Sequence, residues 1–281
     1  MTTPAKSKTN DRRHRDVDWY RLPEYYDIVF EEGTLREADF LEGVAERFGR
    51  REAGRRVLEP ACGSGRLLLE LARRGWDATG FDASPDMLAY AARRCREASV
   101  DVRLDEGRME SFVYDDVPGF DLAFCLVSTF KYLVDPAHVR GHFRCMADAL
   151  VDDGLYVLGL HLSEYENRSR SRERWVSERD GTRVVSVLQG WPADRDTRTE
   201  QCRIRLSVEH EDAPSGSEPA RYEHHFEFRT YDTAELQAAL AEVPELEHVA
   251  TFDFDYDLAA PRELDDEQLD AILILRRRKR S

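Results

Sequence analysis

The sequence predicts an α/β protein: a doubly wound, seven-stranded, mostly parallel sheet carrying an antiparallel β insert. Three observations predict it. Residues 56–84 read as a buried strand, a tight glycine turn, a helix, and a second strand ending in an acid. Strand and helix signals go on alternating to residue 162, as a parallel sheet with right-handed crossovers requires. From Arg172 the period changes, and apolar and polar residues alternate singly as in half-buried antiparallel strands.

The first strand, residues 56–59, runs into Pro60-Ala61-Cys62-Gly63-Ser64-Gly65. Such a turn brings bare backbone and a helix N-terminus against a ligand. The helix that follows has Leu67, Leu68, Leu71 and Ala72 on one face and stops at Gly75. The next strand ends at Asp82, where an acid can hold ribose hydroxyls. Ser84 is a good N-cap and Pro85 suits a first helical turn, so residues 85–97 form the second crossover helix, with Met87, Leu88, Ala91 and Ala92 toward the sheet. Residues 100–104 make a short third strand. After the Pro118-Gly119 turn, residues 120–127 form an apolar strand leading into Ser128-Thr129-Phe130-Lys131-Tyr132-Leu133. Asp135 and Pro136 open a helix that ends at Asp152-Asp153-Gly154, a turn before the strand 155–162.

Residues 1–16 are polar and charged, with almost nothing to bury, and read as a disordered tail. Trp19, Tyr20, Leu22, Tyr25, Tyr26, Ile28, Val29 and Phe30 then form a dense aromatic cluster, either a hydrophobic plug or a lid over a ligand. Residues 34–48 are helical. In the later segment Cys202, Ile204, Leu206 and Val208 alternate with polar residues, as do His224, Phe226 and Phe228, and residues 184–188 make another strand. A helix at 233–243 and strands at 249–255 and 271–275 complete the seven-stranded sheet, the final strand antiparallel. The organisation is therefore a tail (1–16), a core (17–164), an antiparallel insert or cap (165–229), a return to the core sheet (230–276) and a basic tail (277–281).

With 281 residues the chain can bury a sizeable core. Its net charge of −15 argues against a broad nucleic-acid surface. The arginine runs at residues 12–15 and 276–280 read as solvated ends. Five cysteines, an odd number without short paired spacing, point to reduced thiols in a cytoplasm. Cys62 and Cys125 sit in apolar contexts that suit small core residues better than nucleophiles. No C-x-x-C or H-E-x-x-H offers a metal site. Residues 1–16 lack the apolar stretch of a signal peptide, and no apolar run approaches the roughly 18 residues of a membrane helix. The expectation is a cytoplasmic protein with no membrane partner.

Dinucleotide-binding turns want G-x-G-x-x-G, but the third glycine position holds Leu68. Instead Glu59 stands four residues before Gly63. The E-x-x-x-G-x-G pattern resembles motif I of the class I S-adenosylmethionine (SAM)-dependent methyltransferases, and Asp82 falls where that family has its ribose-binding acid. The resemblance covers residues 20–162. It implies a Rossmann-like methyltransferase fold with SAM as cofactor, its methionine end held by Glu59 and the backbone of Ala61 and Gly63, with Gly65 in the turn. Asp82 and Ala83 would meet the ribose side, Met87 and Met109 would flank adenine, and Leu126 would also lie at the cofactor. The Tyr25-Tyr26-Asp27 segment resembles the tyrosine-aspartate stretch that many small-molecule methyltransferases place over the cofactor, which adds Tyr26. Where the family often has an acid after a glycine to accept from the adenine amino group, this chain has Arg108, which cannot accept. Either Glu110 or backbone takes that role, or Arg108 stacks on the purine.

The acceptor is expected at the carboxyl end of the fourth strand, beside Ser128, Thr129, Lys131 and Tyr132, with His161 near the end of the fifth. His161 could remove an acceptor proton, histidine being the side-chain type whose reference pKa lies nearest neutral, though a lone histidine in an apolar strand is more often core. Lys131 could orient an anionic substrate or snorkel to solvent. The insert is similar in topology to that of N-methyltransferases acting on amino sugars or glycine-like amines. The reading is methyl transfer to a small-molecule amine or hydroxyl. Its alternatives are a non-catalytic SAM- or SAH-binding scaffold and an RNA methyltransferase, the latter weakened by Leu126-Val127-Ser128-Thr129 where an Asp/Asn-Pro-Pro-aromatic motif is usual. The insert would serve as a roof or as the contact of a homodimer.

Overall fold

The computed structural model describes residues 14–50 and 54–279. The chain runs through β1 (Arg15–Asp16), a 3-10 turn at Trp19–Arg21, α1 (Pro23–Phe30) and α2 (Thr34–Phe48). There follow β2 (Arg56–Pro60), α3 (Arg66–Arg73), β3 (Asp77–Asp82), α4 (Pro85–Glu97), β4 (Val102–Glu106), β5 (Phe120–Cys125), α5 (Pro136–Ala149) and β6 (Leu150–His161). Then come β7 (Ser171–Arg179), β8 (Thr182–Gly190), β9 (Thr199–His210), β10 (Ala220–Arg229), α6 (Thr233–Ala241), β11 (Leu246–Phe252) and β12 (Asp270–Arg277).

Seven strands form one sheet in the order β11-β12-β6-β5-β2-β3-β4. Only β12 runs against its neighbours, so the expected mostly parallel sheet with an antiparallel final strand is what the chain forms. Every residue of β5 is buried, as a central strand covered on both faces must be. Phe40, Leu41 and Val44 of α2 and Leu67, Leu68 and Leu71 of α3 cover one face. Val139, Phe143 and Met146 of α5 and Leu236 and Leu240 of α6 cover the other. Each such side chain stabilises the fold by about 1.5–3 kcal/mol relative to exposure. The expected caps are present: Ser84 Oγ accepts from the Met87 N–H at 3.3 Å, and Asp135 accepts from the Ala137 N–H at 2.8 Å.

Some boundaries move. The turn expected at 152–154 is part of β6, because α5 ends at Ala149 and the strand begins at once. A register shift between Phe120 and Leu122 absorbs the extra residues, with Asp153 at φ +61°. The polar N-terminal tail stops short of residue 16, since Arg15–Asp16 pair with Tyr222–Glu223 of β10. At the other end Arg276 and Arg277 are ladder residues of β12 and Arg277 is buried, so the solvated end begins later than expected. Arg12, Arg13 and Arg280 lie outside the described residues.

The second sheet, ordered β1-β10-β9-β8-β7, is the antiparallel insert with one short parallel edge. Val184, Ile204, Leu206 and Val208 on its apolar face pack with Trp19 and Ile28. The N-terminal aromatic cluster thus lies between insert and core. Asp27 of α1, with no exposed surface, fixes it there: its carboxylate accepts from Tyr90 Oη (3.0 Å) and Arg94 (2.6 Å) of α4 and from Arg179 (2.5 Å) of β7. Among the described residues no helix is long and apolar enough to cross a membrane.

Candidate active site

The turn between β2 and α3 takes left-handed backbone at Ala61, Gly63 and Gly65. Asp82, at the end of β3, clips this turn to the neighbouring strand. Its Oδ2 accepts from the Gly63 N–H and its Oδ1 from the Ser84 N–H, both at 2.8 Å. Each oxygen keeps further accepting capacity. Burial raises the Asp82 pKa against these two bonds.

Asp82 lines a cavity of about 450 Å³ beyond the tips of β2 and β3. Ala61, Gly63 and Ala83 form its floor side, and Arg108, Met109 and Glu110 a side wall. Arg108 Nε donates to Glu110 Oε1 at 2.5 Å. This bond, the residue's own N–H and nearby His138 hold the Glu110 carboxyl below its ordinary pKa despite burial. An ionised carboxylate thus stands on this wall two residues after Arg108.

A second cavity, of about 570 Å³, opens at the tips of β5 and β6 beneath the insert. Tyr20, Tyr26, Thr129 and Tyr132 line both cavities and form the wall between them. Burial raises the pKa of all three tyrosines, so their hydroxyls stay protonated near neutral pH. After β5 the backbone is left-handed at both Val127 (φ +57°) and Ser128 (φ +59°). For a β-branched residue such as Val127 this is strained. It is held by Ser128, whose N–H donates to Gly159 O at 3.1 Å and whose Oγ accepts from the His161 N–H at 3.0 Å.

His161 is no core histidine. Its side chain is half exposed, lines the second cavity, and sets Nδ1 2.6 Å from Asp270 Oδ1. Lys131 does not snorkel to solvent: it is buried, with Nζ 2.7 Å from Glu200 Oε1 on β9 and 5.3 Å from the centre of the Phe228 ring.

Residues 57–154 match the family model described as a methyltransferase domain. Residues 57–154 are thus a methyltransferase domain. Over 88 residues it is 38% identical to a ubiquinone biosynthesis O-methyltransferase of Methylococcus capsulatus, covering 31% of this chain and 36% of that one. The chain spans between about a third and just over half the length of the curated relatives it matches. Among solved structures, a sugar N-methyltransferase from Streptoalloteichus sp. superposes over 99% of both chains with a TM-score of 0.69 at 21% identity. A SAM-bound amino pentose methyltransferase from Micromonospora echinaspora superposes over 94% of this chain and all of that one, with a TM-score of 0.67 at 19% identity.

The residues of this methyltransferase domain fit SAM. Tyr26 lies over Gly63, where a Cβ would already be in contact with its ring at 3.5 Å. Glu59, under the same turn, has a buried Oε2 with no hydrogen-bond partner among the described residues, and burial pushes its pKa well up. An ammonium group there would satisfy that oxygen. Of the cofactor residues read from sequence, Ala61, Gly63, Asp82, Ala83, Arg108, Met109 and Tyr26 share the first cavity. Glu59, Gly65, Met87 and Leu126 lie outside its lining. Gly65 serves helix packing, since a Cβ on it would stand 3.0 Å from Ala91 Cβ. Met87 has no exposed surface, as the sheet-facing side of α4 dictates, and Leu126 packs on Gly159. His161, Lys131 and Tyr132 do meet at the second cavity.

Sequence reasoning missed Asp270, Glu200 and the cavity-lining tryptophans Trp175 and Trp191. For Asp270 a signal existed: an acid opening the last apolar strand, which antiparallel pairing sets opposite His161.

Proposed function

We propose that the chain transfers the methyl group of SAM to an amine of a small molecule held in the cavity under the insert. When bound, SAM supplies an electrophilic methyl on a sulfonium, and the amine lone pair forms the new bond as the carbon–sulfur bond breaks. What the protein adds is alignment across the Tyr20–Tyr26–Tyr132 wall, an effect worth about 7–11 kcal/mol for well-oriented reactants. Asp82 would hold the ribose and Glu59 the ammonium of the methionine tail.

The observation that carries the amine reading is the charge of the second cavity. Glu164, Glu173, Glu200 and Asp270 line it, against Lys131 and His161. Lys131 is paired with Glu200 and His161 with Asp270, which leaves the other two carboxylates to attract a cation. An ammonium must lose its proton before it can attack, and His161 Nε2 is the group available to take it. The sugar N-methyltransferase and the amino pentose methyltransferase among the structural neighbours agree with this reading.

The test is transfer of labelled methyl from SAM to a panel of amino sugars, amino acids and matching hydroxyl compounds, alongside calorimetry with SAM. Label on amines alone is the expected result. Label on hydroxyl compounds alone would refute the amine reading, and SAM binding without transfer to any acceptor would favour a scaffold.

A further inference from the structure

The loop Gly107-Arg108-Met109-Glu110 that walls the first cavity is gripped from behind by α5. His142, fully buried, sets Nδ1 3.1 Å from the Met109 carbonyl oxygen and Nε2 2.7 Å from Tyr156 Oη on β6. A carbonyl only accepts, so Nδ1 carries the proton, and Nε2 of the neutral ring accepts from the tyrosine hydroxyl. Beside it, Gly141 approaches so closely that a Cβ would fall 2.6 Å from the Glu110 carbonyl oxygen. Cys145 Sγ donates to that same oxygen at 3.8 Å. Positions 141, 142 and 145 share one helical face, so α5 holds two successive carbonyls of the loop.

In a trans peptide the carbonyl and the following N–H point opposite ways. Drawing the Met109 carbonyl onto His142 therefore turns the Glu110 N–H away from α5, toward the Glu110 carboxylate that it helps to stabilise. We propose that His142 is a positioning residue for recognition of the adenine ring: through the Met109–Glu110 peptide it aims the Glu110 carboxylate at the exocyclic amino group. Burial keeps the ring neutral, with a single N–H whose direction Tyr156 fixes. The proposal rests on the SAM reading above and adds to it a residue that never touches the ligand.

The experiment compares calorimetric affinities for S-adenosylhomocysteine and S-inosylhomocysteine, whose purine carries an oxo group where adenine has its amino group. In the wild-type chain the adenosyl ligand should bind more tightly. His142→Phe keeps a ring but removes the donor; it should weaken adenosyl binding by about tenfold and narrow the adenosyl-to-inosyl ratio by a similar factor. His142→Gln, which keeps a donor, should restore most of both. A merely structural role would lower thermal stability and weaken both ligands equally, and that result overturns the proposal, as does an unchanged ratio in folded His142→Phe. If His142→Phe does not fold, Tyr156→Phe removes only the hydroxyl that fixes the tautomer. It should narrow the ratio by about threefold, and an unchanged ratio there also overturns the proposal. A wild-type chain that binds both purines equally refutes adenine reading by Glu110. One that binds neither refutes the SAM reading itself.

Discussion

Asp270 stands directly across the β6–β12 ladder from His161, and its carboxylate accepts a 2.6 Å hydrogen bond from His161 Nδ1. The bond holds Asp270 below its ordinary pKa, and it leaves Nε2 as the ring's accepting nitrogen. If the acceptor enters as an ammonium, His161→Ala should lower kcat on the order of 10²-fold, the usual reach of a positioned base. Asp270→Asn should cost about tenfold by releasing the ring's orientation, with the KM for SAM unchanged. Steady-state rates on the best amine acceptor check both. Full activity in His161→Ala would mean that the amine arrives neutral and no base is used.

Asp82 does two jobs at one carboxylate, clipping the Gly63 and Ser84 N–H groups and facing the first cavity. Asp82→Ala should weaken SAM binding by about 1–3 kcal/mol, because the ribose hydroxyls and two backbone donors lose their acceptor together. Calorimetric titration measures the loss. Unchanged affinity would mean that another group holds the ribose.

Asp27 is the buried counter-charge of Arg94 and Arg179, which come from the core and the insert respectively. Removing it takes the buried carboxylate from Arg94 and leaves Arg179 only the half-exposed Glu31 at 3.4 Å, so Asp27→Ala should destabilise the fold by about 3–5 kcal/mol. Because Tyr26 precedes it on α1, SAM affinity should fall as well. Urea unfolding and SAM titration of the same variant test the two effects, and wild-type stability would show that the arginines find other partners.

The core was legible because period and punctuation agree there: Ser84-Pro85 and Asp135-Pro136 open helices by a local rule, and Gly63, Gly65 and Asp82 form a compact pattern whose parts lie within 20 residues. The second cavity was less legible because its walls come from distant segments. Lys131 meets Glu200 across 69 positions and His161 meets Asp270 across 109, so both pairs depend on registers that no local signal fixes. The strained Val127-Ser128 backbone is likewise set by β6 and not by its own residues. Met87 was ambiguous for a different reason, since a helix-core methionine and an adenine-flanking one share the same sequence pattern.

The neutral His142 also makes a prediction about acid stability. Burial lowers its pKa from an ordinary 6.5 to about 4 in the folded chain. Between those values the unfolded chain binds the proton and the folded one does not, so stability rises with pH across that window. The contribution is fully present above pH 6.5 and is lost as pH falls toward 4, by an amount on the order of 3 kcal/mol. Burial also lowers the pKa values of His14, His224 and His248, which slope the same way, so wild type alone does not isolate His142. The difference between wild type and His142→Phe can. Urea unfolding at pH 4.5, 5.5 and 7 should show the variant losing less stability on acidification, because it lacks the proton that the unfolded wild type takes up. Parallel pH profiles for the two proteins would mean that His142 already titrates normally in the folded state, and the fixed tautomer that holds the Met109 carbonyl would go with it.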